Sequence, residues 1–259
     1  MLWTPQPQIW DATAPILFPV CGWTRDGRVR VNGTTYPLGL HGFARFEAFD
    51  IALRGDDFVR FVLRDNSRTH ALYPFAFELA IEYRLAENGL RVSTRVRNTG
   101  DRPMPYAFGL HPGFRWPLAG GCKQDYAILF DRAERPEVPI IAPGGLFSTQ
   151  RRALRFSNAR TLPLSDETFA QEALCFLNIE SDGLDLVGPR GRALRVEWTN
   201  MAHVVLWSRA NAPFLCIETW TGHGDPEGFS GDLYQKPSMT TLAPEEESHH
   251  SVGYVLGTM

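Results

Sequence analysis

The chain is expected to be all-β: a large antiparallel β-sandwich built as a single domain over residues 1–259. Three observations predict it. Short runs alternating apolar with polar residues recur from end to end, turn dipeptides such as Asn32-Gly33 and Asn88-Gly89 divide them, and helical periodicity is nearly absent. A length of 259 residues with 44% hydrophobic content supplies a full core.

In chain order, Arg28–Val31, the turn Asn32-Gly33 and Thr34–Tyr36 make a short hairpin, because Asn-Gly tolerates the positive φ that a two-residue hairpin loop demands. A strand at 58–64 follows. The stretch 75–85 places Phe75, Phe77, Leu79, Ile81, Tyr83 and Leu85 on one face, turns at Asn88-Gly89, and continues as Leu90–Arg97, a long hairpin with one wet face. Further strands are expected at 104–110, 125–130, 184–187, 193–198, 203–208, 214–220 and 249–256. Ser165–Gln171 is the one short helix or turn. The Pro-rich first 20 residues and the loop around Pro136–Gly145 read as excursions, not domain boundaries.

Composition excludes several functions. The 26 basic and 29 acidic residues nearly cancel, so nucleic acid is not the expected partner. Twenty-four of the basic residues are Arg, whose planar fork suits anionic or polyol ligands; genome composition explains the same bias. Cys21, Cys122, Cys175 and Cys216 lack C-x-x-C spacing and read as core hydrophobes or free thiols, not a metal or redox motif. Met1–Pro5 does not resemble the start of a secretory signal and no apolar stretch is long enough for a bilayer, so a cytoplasmic location without membrane contact is expected.

Four clusters carry candidate chemistry. Glu218 is the lone charge in Phe214–Trp220, on the face of Phe214, Cys216 and Trp220, where burial raises a carboxyl pKa toward the general-base range. A buried Arg partner would explain it equally. His111, in Phe108-Gly109-Leu110-His111-Pro112-Gly113-Phe114, sits where a strand meets a backbone corner, fit for proton transfer or for a hydrogen-bonded core role. His41 and Arg45 flank Gly42, which allows a sharp bend or close approach. Trp116, Trp207 and Trp220 offer flat faces to a sugar ring or simply to the core. His70, His203 and the pair His249-His250, read as a late strand or surface pair, receive no role.

Taken in order, Ala14–Val20 with Asn32–Leu38 and His41–Arg45, then His111–Leu118, then Asn211–Trp220, resemble the motifs of the aldose 1-epimerase (galactose mutarotase) family, most closely its shorter bacterial branch. The resemblance runs from about residue 10 to the C-terminus. It implies a galactose mutarotase-like supersandwich whose concave face binds an aldose, with His111 as general acid and Glu218 as general base. It further implies that His41 and Arg45 hold sugar hydroxyls, or a phosphate if the sugar carries one, and that Glu172 binds a hydroxyl; Trp207 is read as a further substrate-binding residue. Two departures stand out. Only 13 residues precede the Ala-Pro-Ile-Leu-Phe-Pro segment, which suggests an uncovered sheet edge or one covered by a partner chain, and Glu172 stands near the place of an expected aspartate.

The implied reaction removes a proton from the anomeric hydroxyl at Glu218 and delivers one to the ring oxygen from His111; rotation and reclosure give the other anomer. No metal, nucleotide or redox cofactor enters it. The proximity of the pair is expected to favour ionised Glu218 beside protonated His111. The expected partner is a small-molecule sugar, the expected assembly a monomer or homodimer. Rival readings are a non-catalytic carbohydrate-binding protein, or a glycosidase pairing Glu218 with Asp225. Arg45, Arg64 and Arg68 are either a phosphate site or surface charges.

Overall fold

The long hairpin lies at the middle of a nine-stranded antiparallel sheet. In a computed structural model that describes residues 1–257, its strands are Phe77–Ala86 and Gly89–Asn98, paired in unbroken register from Phe77 opposite Asn98 to Ala86 opposite Gly89. Across the sheet the order is Thr161–Pro163, Ala127–Phe130, Gly183–Gly188, Gly191–Thr199, Glu247–Leu256, Gly89–Asn98, Phe77–Ala86, Phe58–Arg64 and Asp50–Arg54. Phe77, Leu79 and Ile81 are buried, as the period-2 pattern requires, but Leu85 is 63% exposed. The apolar face ends there because the hairpin tip runs past the core.

The second sheet has six short strands. Its order is Ile16–Leu17, Gly109–Leu110, Phe214–Trp220, His203–Trp207 and Leu174–Leu177, with Gly113–Arg115 also paired to Phe214–Trp220. Leu215, Ile217, Val204 and Leu206 join Leu79, Val96, Leu194 and Val252 of the larger sheet in one core, which makes the sandwich. Alternation sends Cys216, Glu218, Trp220, Val205 and Trp207 to the opposite face. The strand Phe214–Trp220 is buried at every position, so its pattern reads as continuous apolar sequence broken by one acid.

Several expectations are refined. The expected strand 104–110 divides into Met104–Tyr106, paired with Thr240–Leu242, and Gly109–Leu110 in the six-stranded sheet. The expected helix at Ser165–Gln171 is the 3-10 turn Asp166–Phe169, capped by Ser165, and a short α-helix at Ser67–His70 was unforeseen. His250 is buried rather than at the surface: its Nδ1–H donates to the Asn200 carbonyl (2.8 Å), so Nε2 accepts from the Tyr106 hydroxyl (2.9 Å). Cys21, Cys175 and Cys216 are buried, whereas Cys122 is exposed. Trp116 is fully buried against Phe169 and packs no cavity wall. Among the described residues no helix is long and apolar enough to cross a membrane.

Candidate active site

Strand register brings His111 and Glu218 together. Gly109 pairs with Trp220, Leu110 with Thr219 and Gly113 with Cys216, so His111 falls directly opposite Glu218 between the two short strands. Side chains opposite one another on antiparallel strands have Cβ atoms about 5 Å apart. The contact follows: His111 Nε2 lies 3.3 Å from Glu218 Oε1. The indole N–H of Trp220, two residues on and on the same face, donates to Glu218 Oε2 at 3.1 Å. On the other flank Val205 is opposite Glu218, and Cys175 is opposite Val205, so His111, Glu218, Val205 and Cys175 form one row across the sheet.

Burial sets the protonation of the pair. Glu218 is 1% and His111 8% exposed. Loss of water raises the Glu218 pKa well above the ordinary carboxylic range, with the Trp220 hydrogen bond opposing, and lowers that of His111 to about 3. These directions run against the expectation that proximity would favour the ionised pair. Desolvation favours the uncharged form of each group, a neutral imidazole beside a protonated carboxyl. That state has the same proton count as the ion pair, and one proton transfer across the 3.3 Å contact interconverts them.

The pair lies on the floor of an open cavity of about 820 Å³. The two residues expected to be catalytic and the four expected to bind substrate all line it: His111 and Glu218, with His41, Arg45, Glu172 and Trp207. His41 has φ 63° and Gly42 φ 68°. Gly42 is required here because a Cβ would stand 2.3 Å from the Phe18 carbonyl oxygen, so the close approach is to the chain itself, not to a ligand. His41 Nδ1 accepts from the Gly22 amide (3.1 Å), which leaves Nε2 as the proton-bearing nitrogen of a ring that burial keeps neutral. The His41 ring meets those of His111 and Trp220 edge-on, each at 5.6 Å. Trp207 contacts His111 edge-on at 5.7 Å. Glu172 is exposed in a bend at φ 82°, just before the strand Leu174–Leu177. Arg45 is exposed at the rim above the Phe46 ring.

Three groups escaped the sequence reading. Trp10 stacks on His111 (5.2 Å between ring centres, 28° between planes). The residues before Ala14, which had suggested a missing edge, thus bring Trp10 onto His111. Trp3 Nε1 donates to the Trp10 carbonyl, and a Cβ on Gly113 would stand 2.5 Å from the Trp10 ring. Arg209, above Trp207, and Trp23, which is 43% exposed, also line the cavity. Nothing local in the sequence links Trp10 to His111. Arg64 and Arg68 do not reach the cavity: they pair with Glu78 (2.7 Å) and Glu47 (2.8 Å), so no three-arginine phosphate site forms. Asp225, the second acid of the glycosidase reading, is buried against Lys236 Nζ at 2.5 Å and lies outside the cavity lining.

Comparison with known proteins identifies relatives along nearly the whole chain. The chain is 32% identical to the chromosomal form of protein LacX of Lactococcus lactis subsp. lactis, over 96% of this chain and 87% of that protein, and equally to the plasmid form. Its structure is similar to that of the galactose mutarotase related enzyme of Lactobacillus acidophilus, with TM-score 0.90 and 28% identity over 99% of this chain and 87% of that one. It is likewise similar to a galactose mutarotase-like protein of Lactobacillus casei, with TM-score 0.91 and 27% identity over 99% and 89% of the two chains. The family model described as Aldose 1-epimerase matches residues 1–254, and the chain belongs to that family.

Proposed function

We propose that this protein is an aldose 1-epimerase that interconverts the anomers of an aldose or an aldose phosphate by acid/base ring opening. The observation that carries the reading is the buried His111–Glu218 contact on the floor of a cavity walled by Trp10, Trp207, Trp220 and His41. The two oxygens that must lose and gain protons hang on one carbon, so the acid and the base must also lie within a few ångströms of each other.

In this reading Glu218 removes the proton from the anomeric hydroxyl and His111 protonates the ring oxygen. The ring opens, the C1–C2 bond rotates, and the reverse transfers close the other face. The singly protonated pair is the working unit, and bound hydroxyls supply the polarity that favours its ionised form. His41 Nε2–H and Glu172 hold hydroxyls, and the indole faces take the C–H surface of the ring. Arg45 and Arg209 form no ion pair among the described residues, which supports a place for a phosphate at the rim. The glycosidase reading loses its second carboxylate to Lys236.

Saturation-transfer NMR of anomer exchange across neutral aldoses and hexose 6-phosphates tests both reaction and substrate. The reading expects exchange above the buffer rate for at least one sugar, and a slower rate on the phosphate when Arg45 is replaced by Ala. A sugar that binds while exchanging at the buffer rate would make this a binding protein instead.

A further inference from the structure

Cys216 is a thiol beside the His111–Glu218 pair that the acid/base chemistry leaves unused. It is a free, buried thiol two residues before Glu218 on the same strand face. Its partner in register is Gly113, which presents no side chain of its own. His111, Cys216 and Glu218 each offer one ligating atom, and these atoms all lie within 4.8 Å of one another.

We propose that His111, Cys216 and Glu218 form a binding site for a thiophilic divalent cation, zinc above all, and that occupancy blocks the acid/base pair. Zinc takes imidazole nitrogen, thiolate and carboxylate oxygen at about 2.0–2.3 Å in tetrahedral array, so its ligand atoms stand about 3.3–3.6 Å apart. The 3.3 Å separation of His111 Nε2 from Glu218 Oε1 already meets that spacing. The thiol lies within 4.8 Å of both and must close by up to about 1.2 Å to reach that spacing. Trp220 Nε1–H holds Glu218 Oε2 and leaves Oε1 for the ion, the arrangement by which an outer hydrogen bond orients a ligating carboxylate. His111 and Glu218 line the cavity, so a fourth ligand would enter from their side.

Charge balance favours the same ion. As zinc binds, the thiol S–H and carboxyl O–H bonds break, both protons pass to the buffer, and Zn–S and Zn–O bonds form without any redox change. Thiolate, carboxylate and neutral imidazole then neutralise a dication in a buried place. Magnesium and calcium prefer all-oxygen cages and gain little from a thiolate.

Cobalt(II) is the probe, added to the full chain carrying Cys122→Ser so that the exposed thiol beside Asp125 contributes nothing. The expected result is a sulfur-to-cobalt charge-transfer band with tetrahedral d–d absorption, displaced by stoichiometric zinc and unaffected by excess magnesium. Both Cys216→Ala and Cys216→Ser should abolish the band and weaken zinc binding in calorimetry by at least about tenfold. Absence of a thiolate band at saturating cobalt in the Cys122→Ser protein overturns the proposal without reference to any Cys216 variant. A band that survives Cys216→Ala overturns it too, by placing the metal on another thiol.

Inhibition rests on the proposed reaction and is read separately. Zinc should slow anomer exchange and a chelator restore it. If the protein catalyses no exchange at all, the cobalt spectrum still decides the metal site, so the two failures are distinguishable.

Discussion

The two sheets solve opposite problems. The nine-stranded sheet has long strands, and its outer face carries a lattice of ion pairs: Arg60 with Glu82, Arg64 and Arg95 with Glu78, Arg97 with Glu245. The six-stranded sheet has strands as short as two residues and is buried on both faces in its centre, yet it holds an acid and two histidines away from water. His111 Nδ1, His203 Nε2 and Thr219 Oγ1 have no hydrogen-bond partner there. Unpartnered buried polar groups are costly, and they persist where surrounding packing determines the position. The larger sheet thus has the character of a scaffold, and the smaller one holds the residues of the proposed chemistry.

Substitutions can break that division. The largest effects are expected at the pair. Glu218→Gln and His111→Ala should each slow anomer exchange by about 10²–10⁴-fold in NMR. Glu218→Gln should leave the melting temperature unchanged or higher, because it removes a buried ionisable group and keeps an oxygen for Trp220. A Glu218→Gln protein that unfolds while retaining its rate per folded molecule would reverse the assignment of roles. In the scaffold, Leu79→Ala should cost about 2–5 kcal/mol in urea unfolding, with the rate per folded molecule preserved.

Acid should act through the smaller sheet. Burial lowers the pKa of His203 from 6.5 to about 3, so between those values the unfolded chain binds a proton that the folded chain refuses. Stability is therefore intact above pH 6.5 and falls as the pH drops toward 3, by at most about 1.4 kcal/mol per pH unit for this group. Chemical denaturation at stepped pH measures the slope, and His203→Gln should flatten it. Gly113→Ala should push Trp10 off His111 and slow exchange by about tenfold, with a shift in tryptophan fluorescence. The smallest effect belongs to the scaffold surface: Arg97→Ala should change stability by less than about 1 kcal/mol, since its pair with Glu245 is exposed.

Legibility followed the same division. The hairpin of Phe77–Ala86 and Gly89–Asn98 was readable because alternation and an Asn-Gly turn are local signals. Glu218 was readable because one acid in an apolar strand is conspicuous within seven residues, and its burial is as expected. The burial of His111 opposite it was not readable, because depth depends on how many layers lie above a strand, which no local pattern records. Trp10 went unseen, and the fate of Arg64 and Arg68 was left open, for the same reason: their partners lie in distant segments.

By itself the sequence determined that this chain is an antiparallel β protein and which residue types are out of place in its strands, because side-chain alternation and turn chemistry act over a few residues. Only the tertiary structure decided that His111 stands opposite Glu218, that Trp10 stacks on His111 and that burial disfavours the charged form of each. Register between distant strands and exclusion of water are properties of the assembled sheets, and no single segment encodes them.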